Sequence, residues 1–229
     1  LLVLMIASCS DSAPKTASMQ EDVSFLASDE LQGRATGTEG ELMAANYLQE
    51  RYEGLGLTAK GTDGGYFQTF RFAPKNDPHG EVRFRETADQ DNESETDSLV
   101  SGINVIGYWD NKATTTVVIG AHYDHLGLGG EGSLYRDGAA IHNGADDNAS
   151  GVAIMLQLAL DLQAPEYSGN NYVFIAFSGE EMGLLGSNYF TKNPTLDIES
   201  INYMINMDMV GRLNSDRALA VHGLGTSPI

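Results

Sequence analysis

Apolar runs alternate with amphipathic stretches along most of this chain, and that alternation predicts its elements. Short runs rich in Val, Ile, Phe and Tyr predict strands over 103–108, 115–120, 172–177 and 201–207. Helical spacing predicts helices over 151–162 and 184–190 between them. Nearer the start, Ser18 followed by Glu21 forms an S-x-x-E capping box opening a short helix that turns Val23 and Leu26 inward. A clearer amphipathic helix covers 41–52, with Leu42, Ala45, Leu48 and Tyr52 on one face and Gly54 closing it. Strands alternating with helices indicate an α/β fold, a three-layer α/β/α sandwich around a mostly parallel, mixed sheet. VVIGA, VFIAF and the run from Ile201 are nearly continuously apolar, the pattern of central strands buried on both faces.

Polar chemistry gathers where those runs end. VVIGAHYDH, IHNGADDNASG, FIAFSGEE and INMDMV place His122, Asp124, Asp147, Glu180, Glu181 and Asp208 at predicted strand mouths. Open α/β sheets bind ligands at the carboxyl ends of their strands, so the fold rule and the motifs point to one place. Imidazole and carboxylate donors without cysteine suit catalytic zinc, and a bridging carboxylate can hold two such ions. The adjacent acids Asp146-Asp147 and Glu180-Glu181 repel each other unless a cation or proton offsets them.

Composition narrows the partners. With 13 Lys and Arg against 32 Asp and Glu, the formal charge of −19 disfavours nucleic acid and anionic membrane surfaces. A length of 229 residues, 41% of them hydrophobic, accommodates one sizeable core. The polar, acidic stretch over 75–98 reads as a solvated loop, too short for an inserted domain of ~50 residues or more.

The four motifs, in this order, resemble the co-catalytic zinc aminopeptidases of the aminopeptidase Y and bacterial leucyl aminopeptidase group, from about Met19 onward. The resemblance implies that His122 and Asp208 hold one zinc, Glu181 helps hold a second, and Asp147 bridges them. It gives Glu180 the part of general base and leaves Asp146 a supporting one. Asp124 would orient the His122 ring by accepting its other N–H, the alternative being a turn residue. A cis peptide between Asp147 and Asn148 is implied as well, with Gly144 and Gly151 giving the loop room to turn. SDELQGRATGTEG resembles a run that the group carries at the same place, so Gly33 and Arg34 are expected to shape the entry to the following helix.

The resemblance further implies peptide substrates with a free N-terminus and one more His ligand downstream of Ile229; the protease-associated domain that some relatives insert is not expected, because the stretch over 75–98 is too short for it. His222, in the alternating run LAVHG, reads as a strand or core residue, and His142 as a rim residue. The domain expected over 19–229 is therefore read as incomplete at its C-terminus. LLVLMIASCS reads as the back half of a signal peptide over 1–9, followed by a tether over 10–18. Its IASC resembles a bacterial lipobox that would lipidate Cys9, the alternative being an ordinary signal peptide with an incidental cysteine. With Ser10 following, an outer-membrane-anchored or periplasmic lipoprotein of a Gram-negative bacterium is expected. Two other readings stay open: a single-zinc glutaminyl cyclase of the same fold, and a receptor-like binding module without turnover.

Overall fold

The computed structural model describes residues 17–73, 84, 99–130, 133–213, 215–223 and 225. Cys9, most of the tether and all of the acidic stretch over 75–98 but Phe84 lie outside the described residues. Among the described residues four α-helices, α1 (Met19–Leu26), α2 (Glu39–Gly54), α3 (Gly151–Asp161) and α4 (Leu185–Lys192), pack on a sheet of six strands. The strands are β1 (Thr58–Ala59), β2 (Phe67–Phe72), β3 (Val100–Trp109), β4 (Thr116–His122), β5 (Asn171–Phe177) and β6 (Ile201–Asn206). Their order is β1-β3-β5-β4-β6, with β2 also pairing with β3. The sheet is mixed: β4 runs parallel to both β5 and β6, while β3 is antiparallel to β1, β2 and β5.

Alternating side chains of the central strands divide between two cores. Val105, Ile119, Ala121, Phe174 and Ala176 face one side and meet Leu26, Leu48, Tyr52, Val152 and Met155 of α1, α2 and α3. Ile106, Val118, Val173, Ile175 and Phe177 face the other side, where Phe190 of α4 covers them. Period-two alternation within an unbroken apolar run thus feeds both layers of the sandwich. α1 opens on the expected box: Ser18 Oγ accepts from the Glu21 amide at 3.3 Å, and the Glu21 carboxylate accepts from the Ser18 amide at 2.7 Å.

Three expectations need correction. Leu42 is 38% exposed, because the buried stripe of α2 runs through Ala44, Ala45, Leu48, Arg51 and Tyr52. The strand at Ile201 is not buried on both faces: β6 pairs only with β4 among the described residues, which leaves Tyr203, Met204 and Ile205 exposed. Around LAVHG the described chain forms no strand, and His222 is exposed. The sequence reading also missed β2, whose Phe70 and Phe72 alternate with exposed residues and pack with Leu185.

Candidate metal centre

The parallel register sets the site. β4 pairs His122 with Phe177 of β5 and Gly120 with Asn206 of β6, so all three strands end at one level. His122 therefore closes β4, Glu180 and Glu181 follow β5, and Asp208 follows β6, at a shared edge. Asp147 arrives from the loop before α3. Gly144 there has φ +59°, and a Cβ on it would fall 2.3 Å from the Asp147 carbonyl oxygen. A Cβ on Gly151 would fall 2.4 Å from Asn148 Oδ1, so both glycines permit close approach. The Asp147–Asn148 peptide is cis, as the resemblance implies.

Two clusters share Asp147. In the first, His122 Nε2 lies 3.2 Å from Asp147 Oδ1 and 3.5 Å from Asp208 Oδ1, with Glu180 Oε2 at 4.0 Å. A tetrahedral ion with ~2.0–2.1 Å bonds spaces its ligand atoms about 3.3 Å apart, so the first two separations match a shared cation. His122 is 2% exposed, and among the described residues its Nε2 makes no well-aligned hydrogen bond, although Asp147 Oδ1 stands 3.2 Å away. A buried nitrogen left without a partner is costly, and a metal ion is the partner that satisfies it. In the second cluster His125, Asp147 and Glu181 converge. His125 Nδ1 stands 2.6 Å from Glu181 Oε1 and 4.0 Å from Asp147 Oδ2. The sequence reading passed over His125; the third polar residue of HYDH was the signal available.

Charge in the site favours cations. Burial presses the His122 pKa down, but Asp124, Asp147 and Glu180 outweigh it and hold the imidazole up to about 11. Proximity to His122 lowers the Asp147 carboxyl, helped by His125 and Arg34 against the effect of burial. Glu180 moves the other way: burial raises it, and the neighbouring Asp124, Glu181 and Asp208 add to the rise. A raised carboxylate beside a cation site has the character of a proton acceptor.

Buried groups hold these side chains in place. The His122 ring presents Nδ1 to the Asp124 carbonyl oxygen at 3.2 Å, with the Asp124 carboxylate at 3.6 Å. That arrangement engages Nδ1–H within its own loop, so a cation that displaces the proton from Nε2 meets its lone pair. Asp124 is fully buried and accepts from Thr36 Oγ1 and the Glu180 amide, both at 3.1 Å. Asp146 sits outside both clusters and accepts from the Gly211 amide and Arg212 Nε. Arg34, fully buried, donates to the carbonyls of Tyr123, Leu26, Asn143 and Gly144, tying the segments that carry His122 and Asp147 to the α1 end. Burial lowers its guanidinium to about 10, so it keeps its charge near the acids at neutral pH. Glu41 accepts from the Gly37 and Ile103 amides and from Ser178. His142 has both ring nitrogens occupied, by Ser133 Oγ and the Ala140 carbonyl, which removes it as a ligand. Beside the first cluster lies a cavity of about 210 Å³ walled by Phe177, Leu184 and Met204, with His122, Glu180 and Asp208 on its polar side.

Fold and clusters together define an α/β/α protein of zinc-peptidase type, with a carboxylate–imidazole centre at the carboxyl edge of its parallel strands. Residues 104–228, more than half of the chain, match Peptidase family M28, and the chain belongs to that family. It is 30% identical over 220 residues to the alkaline phosphatase isozyme conversion protein of Escherichia coli (strain K12), covering 85% of this chain and 58% of that one. Over 82 residues it is 38% identical to aminopeptidase YwaD of Bacillus subtilis (strain 168), covering 34% of this chain and 17% of that protein. Among solved structures, a Zn-dependent exopeptidase from Parabacteroides distasonis superposes with a TM-score of 0.63 at 20% identity, covering 87% of this chain and 63% of that one. A Bacteroides thetaiotaomicron glutaminyl cyclase gives 0.62 at 20% identity, covering 85% and 61%. The chain thus spans less than two thirds of the length of these relatives.

Proposed function

We propose that this chain carries the metal centre of a zinc-dependent exopeptidase that removes N-terminal residues from peptides. The supporting observation is the buried, unpartnered His122 Nε2, facing Asp147 and Asp208 at separations that suit a shared zinc. Membership of a peptidase family and likeness to a protein named aminopeptidase support the same reading. In it His122, Asp208 and Asp147 would hold one ion, while Asp147 and Glu181 would serve a second. Bound zinc would acidify a water and polarise the scissile carbonyl. Glu180, raised by burial and close to His122, takes up the water's proton and returns it to the leaving amine. Asp124 keeps the His122 lone pair turned inward, and the acidic cluster attracts the substrate's protonated α-amine.

Hydrolysis of leucyl p-nitroanilide, silenced by chelators and restored by zinc, with N-acetylated substrate resistant, is the expected result. Equal cleavage of blocked and free substrates would remove the exopeptidase assignment. Glutaminyl cyclases share the fold, and the His125–Glu181 pair is satisfied without an ion, so cyclisation with a single zinc is the second reading. Ammonia release from N-terminal glutamine peptides, with no hydrolysis of leucyl substrates, would select it.

Attachment through a lipidated Cys9, set in the run IASC, is a further part of this reading. Palmitate labelling that disappears in Cys9→Ala tests it.

A further inference from the structure

Glu180 and Glu181 are chemically identical neighbours in one turn, yet the proposed reaction needs one free and the other fixed on metal. Their surroundings differ. The turn is pinned by the Glu180 carbonyl, which accepts from the Gly183 and Leu184 amides at 2.8 and 3.0 Å. From that common base the side chains diverge: Glu180 approaches His122 and makes no side-chain hydrogen bond among the described residues, while Glu181 meets His125 at 2.6 Å.

We infer that His125 is the positioning residue that divides labour between the two acids, its Nδ1–H holding Glu181 toward Asp147 and leaving Glu180 untethered. This rests on the exopeptidase reading. The 2.6 Å separation is a hydrogen bond, well short of the about 3.3 Å that two ligand atoms of one tetrahedral zinc keep between them. His125 therefore acts on the second ion through Glu181 and not as its ligand. The ring is itself held. Its backbone amide donates to the Arg34 carbonyl at 3.3 Å, and a Cβ on Gly144 would fall 2.7 Å from His125 Cδ2, so the bridging loop leaves the ring its place. The His142 ring stands 6.4 Å away with both nitrogens engaged elsewhere, and it does not compete for Glu181. Outer hydrogen bonds of this kind fix the orientation of a ligating carboxylate and are worth ~10–100-fold in metal affinity.

The test compares zinc binding, by competition with a chromophoric chelator, in the wild type, His125→Ala, His125→Asn, Glu181→Gln and the His125→Ala/Glu181→Gln double variant. The wild type is expected to bind one equivalent tightly and a second, through Asp147 and Glu181, more weakly. His125→Ala is expected to weaken the second by about 10–100-fold and leave the first unchanged. His125→Asn, whose amide N–H occupies nearly the place of Nδ1–H, restores most of the loss. The double variant should be no worse than Glu181→Gln alone, because His125 works through that carboxylate. Unchanged binding of both equivalents in His125→Ala would overturn the inference. So would loss of an imidazole nitrogen from the second ion's X-ray absorption spectrum in that variant, which would make His125 a ligand. A wild type that binds one zinc also overturns it while sparing the His122 cluster, whereas a wild type that binds none sinks the exopeptidase reading itself.

Discussion

The two clusters around Asp147 use the same residue types and solve opposite problems. At His122 the imidazole is buried with Nε2 unpartnered, and the acids stand at distances that leave a gap between them. At His125 the imidazole already has its hydrogen bond to Glu181, and that side of the site is closed without any ion. The first arrangement is costly until a cation arrives; the second is stable alone. Burial explains the contrast, since an unmet polar atom is expensive only where water cannot reach it. The difference predicts unequal affinities, with the His122 side loading first.

Removing His122 should break the comparison outright. His122→Ala is expected to abolish the tighter zinc equivalent and turnover together, read by metal analysis after gel filtration and by leucyl p-nitroanilide hydrolysis. Retention of both equivalents would show that the gap is not a metal site. Next in size is Glu180→Gln, expected to lower kcat by about 10²–10⁴-fold while zinc content stays at the wild-type value. Zinc lost in that variant would mean that base and ligand had been exchanged. A smaller effect is expected from Thr36→Val, which removes one of the two hydrogen bonds accepted by Asp124. Zinc affinity at the His122 side should fall by about tenfold or less, with the thermal midpoint nearly unchanged.

The smallest effect concerns Glu41, which lies under the site and contacts Ser178 just before the Glu pair. Burial raises its carboxyl from 4.5 to about 7, against the hydrogen bonds it accepts. A folded-state pKa above the unfolded one contributes stability that is complete below the unfolded value and is lost as pH rises through the folded one. Urea midpoints of the wild type should therefore fall between about pH 5 and about pH 8, and the fall should be shallower in Glu41→Gln. An identical slope in the two proteins would show that Glu41 is ionised throughout.

What the sequence revealed and what it hid follow from how far each signal reaches. Strand runs and their acidic ends were legible because parallel strands terminate at one edge, so His122, Glu180 and Asp208 needed no long-range information to be placed together. The capping box at Ser18 is local too, and it formed as read. The alternation of β2 is present but brief, and the apolar run of β6 reads as a central strand because apolar content alone does not say how many neighbours a strand has. His125 was hidden by the HxD reading of the same motif. Arg34 is legible only as a residue of the loop before α2 and Glu41 not at all: partners such as Asn143 and Ser178 lie more than a hundred positions away, and most of the groups that the two residues meet are backbone atoms, which carry no sequence signature.

The buried side chain of Asn148 has a mechanical consequence. Its amide donates to the Met207 carbonyl, and its oxygen accepts from the Gly151 and Met209 amides, so one residue next to Asp147 grips both neighbours of Asp208 as well as the start of α3. A displacement of the Asp208 segment is carried through this bracket to Asp147. The two carboxylates then travel as one body, and the spacing on which an ion between them depends survives it.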